Sequence, residues 1–167
     1  MGQANWLIIP ISALIPVILG FIWYHPIVLG KTLAKNTGRS IAEITPSRSI
    51  GKIALTYLFS FLLSYILTLV SVHQAGVFQL FFLDPSFSEP GSEFAKVVQE
   101  FMDKYGDRHR TFGHGLIHGA EFGVFTGLAA FGVTALSTGK SLKSIWVHLG
   151  FWIVCCALIA SVNCGLF

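Results

Sequence analysis

The sequence predicts an all-α integral membrane protein, a bundle of four spanning helices with a short amphipathic helix in its second loop. Three observations point there. Hydrophobic residues fill 53% of the 167 positions and charged residues only 11%, against about 25% charged in a soluble domain. Mean hydropathy is +0.69. The apolar residues form four long runs, and most of the charges fall in the connections between them. So few charges would leave apolar surface uncovered in water, and lipid is the solvent such runs suit.

Segment one covers about residues 6–24. Trp6 stands at one end and Trp23-Tyr24 at the other, the placement of an interfacial aromatic belt. A cleaved signal peptide would begin with positive charge and end in small residues, and neither pattern is present. Pro10 and Pro16 interrupt the run, which spanning helices tolerate. Segment two covers about 53–75, with Gly76 as the expected break and an apolar continuation toward Leu83. Segments three and four cover about 112–136 and 145–167. Each run approaches or exceeds the roughly 20 residues that cross a hydrocarbon core of about 30 Å. The whole chain, 1–167, reads as one membrane domain.

The connections carry their own signals. Ser40-Ile41-Ala42-Glu43 has the pattern of a capping box. Between Glu93 and Tyr105, the residues Phe94, Val97, Val98, Phe101, Met102 and Tyr105 form one apolar stripe at helical spacing. That stretch is too charged to span and is expected to lie in the interface or cap the bundle. Lys31, Lys35, Arg39, Arg48 and Lys52 lie in loop one, and Lys140 and Lys143 in loop three. Basic residues mark the cytoplasmic side. Both termini and loop two are therefore expected outside.

The net charge of +3 is modest and no dense basic run interleaves with aromatics, so nucleic acid is not an expected partner. The expected partner is the lipid bilayer, with self-association or a second membrane protein left open. Cys155, Cys156 and Cys164 share one apolar segment without paired spacing and read as small packing residues.

Segment three organises the chain. Gly115, Gly119, Gly123 and Gly127 recur at every fourth position, a row that lets a neighbouring backbone approach closely. Thr56, Ser60, Ser64 and Thr68 form a matching row on segment two, and Ala157, Ser161 and Gly165 one on segment four. These rows predict tight contacts involving segment three. His114, His118 and Glu121 fall within an arc of roughly 60° on nearly the opposite face. Glu121 lies roughly 13 Å beyond Phe112 along the axis. A carboxylate at that depth is costly unless neutral, paired or facing water. His73, at the end of segment two, belongs to the same side, whereas His25 and His148 belong to the other.

Three readings of His73, His114, His118 and Glu121 stand open. They fix helix register by hydrogen bonding, or they line a proton or small-solute pathway opening outward. Alternatively they hold a metal or haem, as His-x-x-x-His places two imidazoles on one helical face. The first two need no cofactor, and absence of one is the leading expectation. No nucleophile elbow, phosphate loop or His-Glu-x-x-His motif is present, so enzymatic activity is not expected. An accessory subunit of a membrane assembly fits equally.

Asn5-Trp6-Leu7, Gly20-Phe21-Ile22-Trp23-Tyr24-His25-Pro26 and Gly30-Lys31 resemble the opening of an uncharacterised bacterial membrane family, domain of unknown function 1761. Gly150-Phe151-Trp152 resembles its closing helix, and His114-Gly115-Leu116-Ile117-His118-Gly119 the His-Gly-x-x-His-Gly form of some members. Loop two is longer than in many of them. The resemblance implies a small four-helix protein of the bacterial inner membrane and supplies no activity.

Overall fold

The computed structural model of the chain describes residues 5–81, 83–139 and 142–167. Among these, the regular structure is entirely helical. Lys140, counted in loop three, lies outside the described residues.

Segment one forms α1 (Ile8–Ser12) and α2 (Leu14–Trp23). The discontinuity follows from Pro16, which has no N–H to offer the Ser12 carbonyl four residues back. Tyr57 donates to the Pro10 carbonyl at 3.1 Å beside this break. Pro26 ends α2 by forcing His25 into an extended conformation (ψ 140°), and His25 Nδ1 accepts the Ile27 N–H at 3.3 Å. A π-helical turn, Pro26–Gly30, then leads into α3 (Lys31–Thr37). The two halves, Ile8–Trp23 and Pro26–Thr37, meet at 56°. Next comes α4 (Ile41–Ile44), opened by the reciprocal Ser40–Glu43 capping box.

Segment two is α5 (Ile50–Ser71). Its break comes at Val72-His73, earlier than the Gly76 expected from sequence. Val72 leaves helical geometry at ψ 91°, and α6 (Gln74–Phe81) resumes straight through Gly76. A short α7 (Pro85–Ser88) precedes α8 (Glu93–Tyr105), the amphipathic helix, capped by Ser92 Oγ on the Ala95 N–H at 3.0 Å. Its stripe divides. Val98 and Met102 are buried, while Val97 and Phe101 remain exposed. Phe94 packs edge-on against Phe81, ring centres 4.7 Å apart.

Segment three is α9 (Phe112–Gly127), a π-helical turn (Leu128–Gly132) and α10 (Val133–Ser137). After a 3-10 turn, Leu142–Ser144, segment four is the single helix α11 (Ile145–Leu166). Three of these runs are long and apolar enough to cross a membrane: Ile50–Ser71, Phe112–Ser137 and Ile145–Leu166. The bent pair around Pro26 is the fourth candidate.

The glycine row of α9 lies against α11. A Cβ at Gly115 would run into the Ala160 carbonyl and one at Gly119 into the Cys156 carbonyl. At Gly123 it would stand 2.8 Å from Ile153 Cα, and at Gly127 2.6 Å from Leu149 Cδ1. The hydroxyl row of α5 does not serve as the partner of this glycine row. Ser64 and Thr68 face α1 and α11 instead, where Asn163 lies fully buried. Asn163 Nδ2 donates to Thr68 Oγ1 at 2.8 Å and to Ser64 Oγ at 3.0 Å, and Ser64 Oγ meets Ser12 Oγ at 2.7 Å. Meanwhile Leu58, Phe59 and Leu62 of α5 are exposed. Small polar residues inside and large apolar ones outside invert the usual arrangement of a soluble protein.

Both termini come to one end, where the Asn5 N–H donates to the Phe167 carbonyl at 2.8 Å. Loops one and three come to the other, where Asn36 donates to the Lys143 carbonyl at 3.3 Å.

Candidate functional site

The break at Val72-His73 puts His73 at the corner between α5 and α6, on the terminal end of the bundle. Thr111 caps α9 by accepting the His114 N–H at 3.2 Å, which sets His114 in the first turn and His118 one turn further on. The three imidazoles converge. His73 Nε2 and His114 Nε2 are 2.9 Å apart, and one ligand atom from each of His73, His114 and His118 lies within 4.8 Å of the others. Ring centres are 4.4 Å apart for His114 and His118 and 4.9 Å for His73 and His118.

Glu121 joins through His118 alone. Its Oε2 lies 3.4 Å from His118 Nδ1, with the side chains 58% and 29% exposed respectively. A carboxylate beside Nδ1 favours a proton on that nitrogen and a lone pair on Nε2. Desolvation, followed by His118 and His109, holds the His73 imidazole below its usual range. That direction favours the neutral imidazole, the form that ligates metals.

The donor set fits a transition-metal ion. Imidazole nitrogens suit zinc, copper, nickel and iron. Tetrahedral ligands at about 2.0–2.1 Å from a metal stand about 3.3 Å from one another, and the observed separations, from 2.9 Å to no more than 4.8 Å, bracket that value. A haem held by two of these histidines fits poorly, because its two axial ligands approach the iron from opposite faces of the macrocycle. His73 and His114 are instead in direct contact, and His114 and His118 project from one side of one helix.

His109 also enters the cluster. Its ring stacks on His114 at 4.9 Å and 24°, and its backbone takes a left-handed φ of 62°, uncommon for a residue other than glycine. Periodicity could not have found it, because it lies in the turn before the Thr111 cap. The one available signal was a histidine between Arg108 and Arg110, directly ahead of segment three.

A family model matches residues 7–164, from the start of segment one almost to the end of α11. The chain belongs to that family, described as protein of unknown function, DUF1761. No curated protein and no solved structure matches it. In this DUF1761 chain the structure brings His73, His114, His118 and Glu121 to one end, with Gly115, Gly119, Gly123 and Gly127 on the α11 side of α9. His25 and His148 lie at the far end, where Tyr24 Oη meets His148 Nδ1 at 3.0 Å.

Proposed function

We propose that the chain is a four-span protein of the bacterial inner membrane that binds a transition-metal ion on His73, His114 and His118. The observation that carries this reading is the convergence of three imidazole nitrogens from two helices, with a carboxylate behind one of them. Three protein ligands leave a position open for water or a ligand, as in zinc sites that do more than hold a fold together. The bent segment one supplies the fourth span. Loops one and three, basic and gathered at one end, face the cytoplasm, so the metal lies on the outer side with both termini. Pairing with His118 offsets part of the cost of Glu121 on an apolar helix.

A through-going proton pathway has less support. Beyond Glu121, α9 continues with Phe122, Val124 and Phe125, and its glycine face is filled by α11. The Thr126 hydroxyl is tied to the Phe122 carbonyl at 2.6 Å.

Calorimetric titration of detergent-purified protein with Zn²⁺ and Co²⁺ tests the reading. One ion per chain is expected. The double variant His114→Ala/His118→Ala should keep its helical circular dichroism and lose at least about 100-fold in affinity, or about 2.7 kcal/mol. A folded parent that binds neither ion ends the proposal.

A further inference from the structure

An open cleft of about 470 Å³ borders the histidine cluster, walled by α6, α8 and the turn ahead of α9. Its size is that of a small-molecule site. Val77, Phe101 and Tyr105 supply an apolar wall, and Arg108 supplies a cation. The Arg108 guanidinium sits 5.5 Å from the centre of the Tyr105 ring, and no carboxylate lies within ion-pairing distance of it among the described residues. Asp103 and Asp107 line a separate, larger apolar cavity together with Arg110. Gln74 presents a buried Oε1 with no hydrogen-bond partner, while its Nε2 is held by the Arg108 carbonyl at 2.9 Å. His73 and His109 form the edge of the cleft nearest the cluster. A metal on His73 would therefore border the cleft.

We propose that this cleft takes a small organic anion with an apolar body. The anionic end addresses Arg108 and the open position of the metal, and the body lies against Val77, Phe101 and Tyr105. Two cationic groups beside one apolar wall favour an anion over a neutral molecule of the same shape, because charge-assisted hydrogen bonds are the stronger ones. The inference rests on the metal-site reading for one of its two cationic groups, and its test separates the two.

Benzoate is the probe, and neutral benzyl alcohol is its control. Added to Co²⁺-loaded protein, benzoate should shift the visible cobalt bands saturably, and benzyl alcohol should not. Arg108→Gln should weaken benzoate by about tenfold or more, the loss of a charge-assisted contact, while Co²⁺ affinity stays within about threefold. Absence of any benzoate effect on a loaded parent overturns the inference and leaves the metal site standing. An equal response to benzyl alcohol also overturns it. Should Co²⁺ fail to bind, equilibrium dialysis of radiolabelled benzoate against metal-free protein still reads the cleft. Retention that disappears in Arg108→Gln supports anion recognition there, and no retention in the parent overturns it.

Discussion

Asn163 and His114 are both polar residues on apolar helices at the same end of the bundle, yet their surroundings differ in kind. Asn163 is wholly buried, and its Nδ2 reaches Ser64 and Thr68 on α5, which connects in turn to Ser12 on α1. The hydroxyl protons run in a consistent direction. Ser12 donates to the Ile9 carbonyl at 3.2 Å, which leaves Ser64 Oγ to donate to Ser12, and Thr68 donates to the Ser64 carbonyl at 2.9 Å. This network ties three helices together, and Ser12, Ser64, Thr68 and Asn163 are all buried. The histidine cluster is only partly covered, and its imidazoles aim at one another with few backbone partners. Polar groups that serve packing spend their hydrogen bonds inward. The imidazoles of the proposed metal site instead face one another at a partly exposed edge.

Asn163 sits on α11 and His114 on α9, so the largest effect should come from forcing those two helices apart. Gly119→Leu drives a side chain into the Cys156 carbonyl and toward Ala157 Cα, 2.8 Å from the added Cβ. Backbone cannot yield as a flexible side chain does, so the cost should exceed the usual overpacking range of about 1–3 kcal/mol. Size-exclusion chromatography and circular dichroism should show little folded protein. An unchanged melting temperature would refute the close packing of these helices. Asn163→Leu comes next. It removes the donor shared by Ser64 and Thr68 and should cost about 1–3 kcal/mol in a detergent unfolding titration. Metal affinity per folded molecule should not change. A parallel drop in metal affinity would mean that the two polar sets are one unit.

Much of this was legible in the residues, for reasons that differ from element to element. The Ser40–Glu43 box and the stripe of Glu93–Tyr105 are local patterns, and local patterns fix local helices. The four-residue glycine spacing identified a contact face of α9. It could not say which helix fills that face, because α5 and α11 both carry small residues. The hydroxyl row of α5 proved to belong to Asn163, which a single asparagine near the end of segment four does not announce. Helical arithmetic placed His114, His118 and Glu121 together on one helix. Whether His73 reaches them depends on the corner at Val72, four residues before the glycine that sequence marks as the break. His109 and Arg108 reach the site from a turn, where no period exists to read.

The finest distinction between the two polar sets lies in Glu121. If it served packing, its replacement would lower stability; if it orients His118 for a metal, its replacement would lower affinity. Glu121→Gln keeps an acceptor for His118 Nδ1 and removes the charge. The side chain is 58% exposed and meets only His118 in the cluster, so unfolding free energy should change by no more than about 0.5 kcal/mol. A carboxylate behind a ligating histidine raises ligand basicity, and its loss typically costs 10–100-fold in metal affinity. With hydrogen-bonding capacity retained, the lower end, about tenfold or 1.4 kcal/mol, is expected in a Co²⁺ titration. Glu121→Leu, which loses the acceptor as well, should lie further down that range. If both variants bind as the parent does while stability falls, Glu121 belongs with Asn163, and the carboxylate is part of the packing.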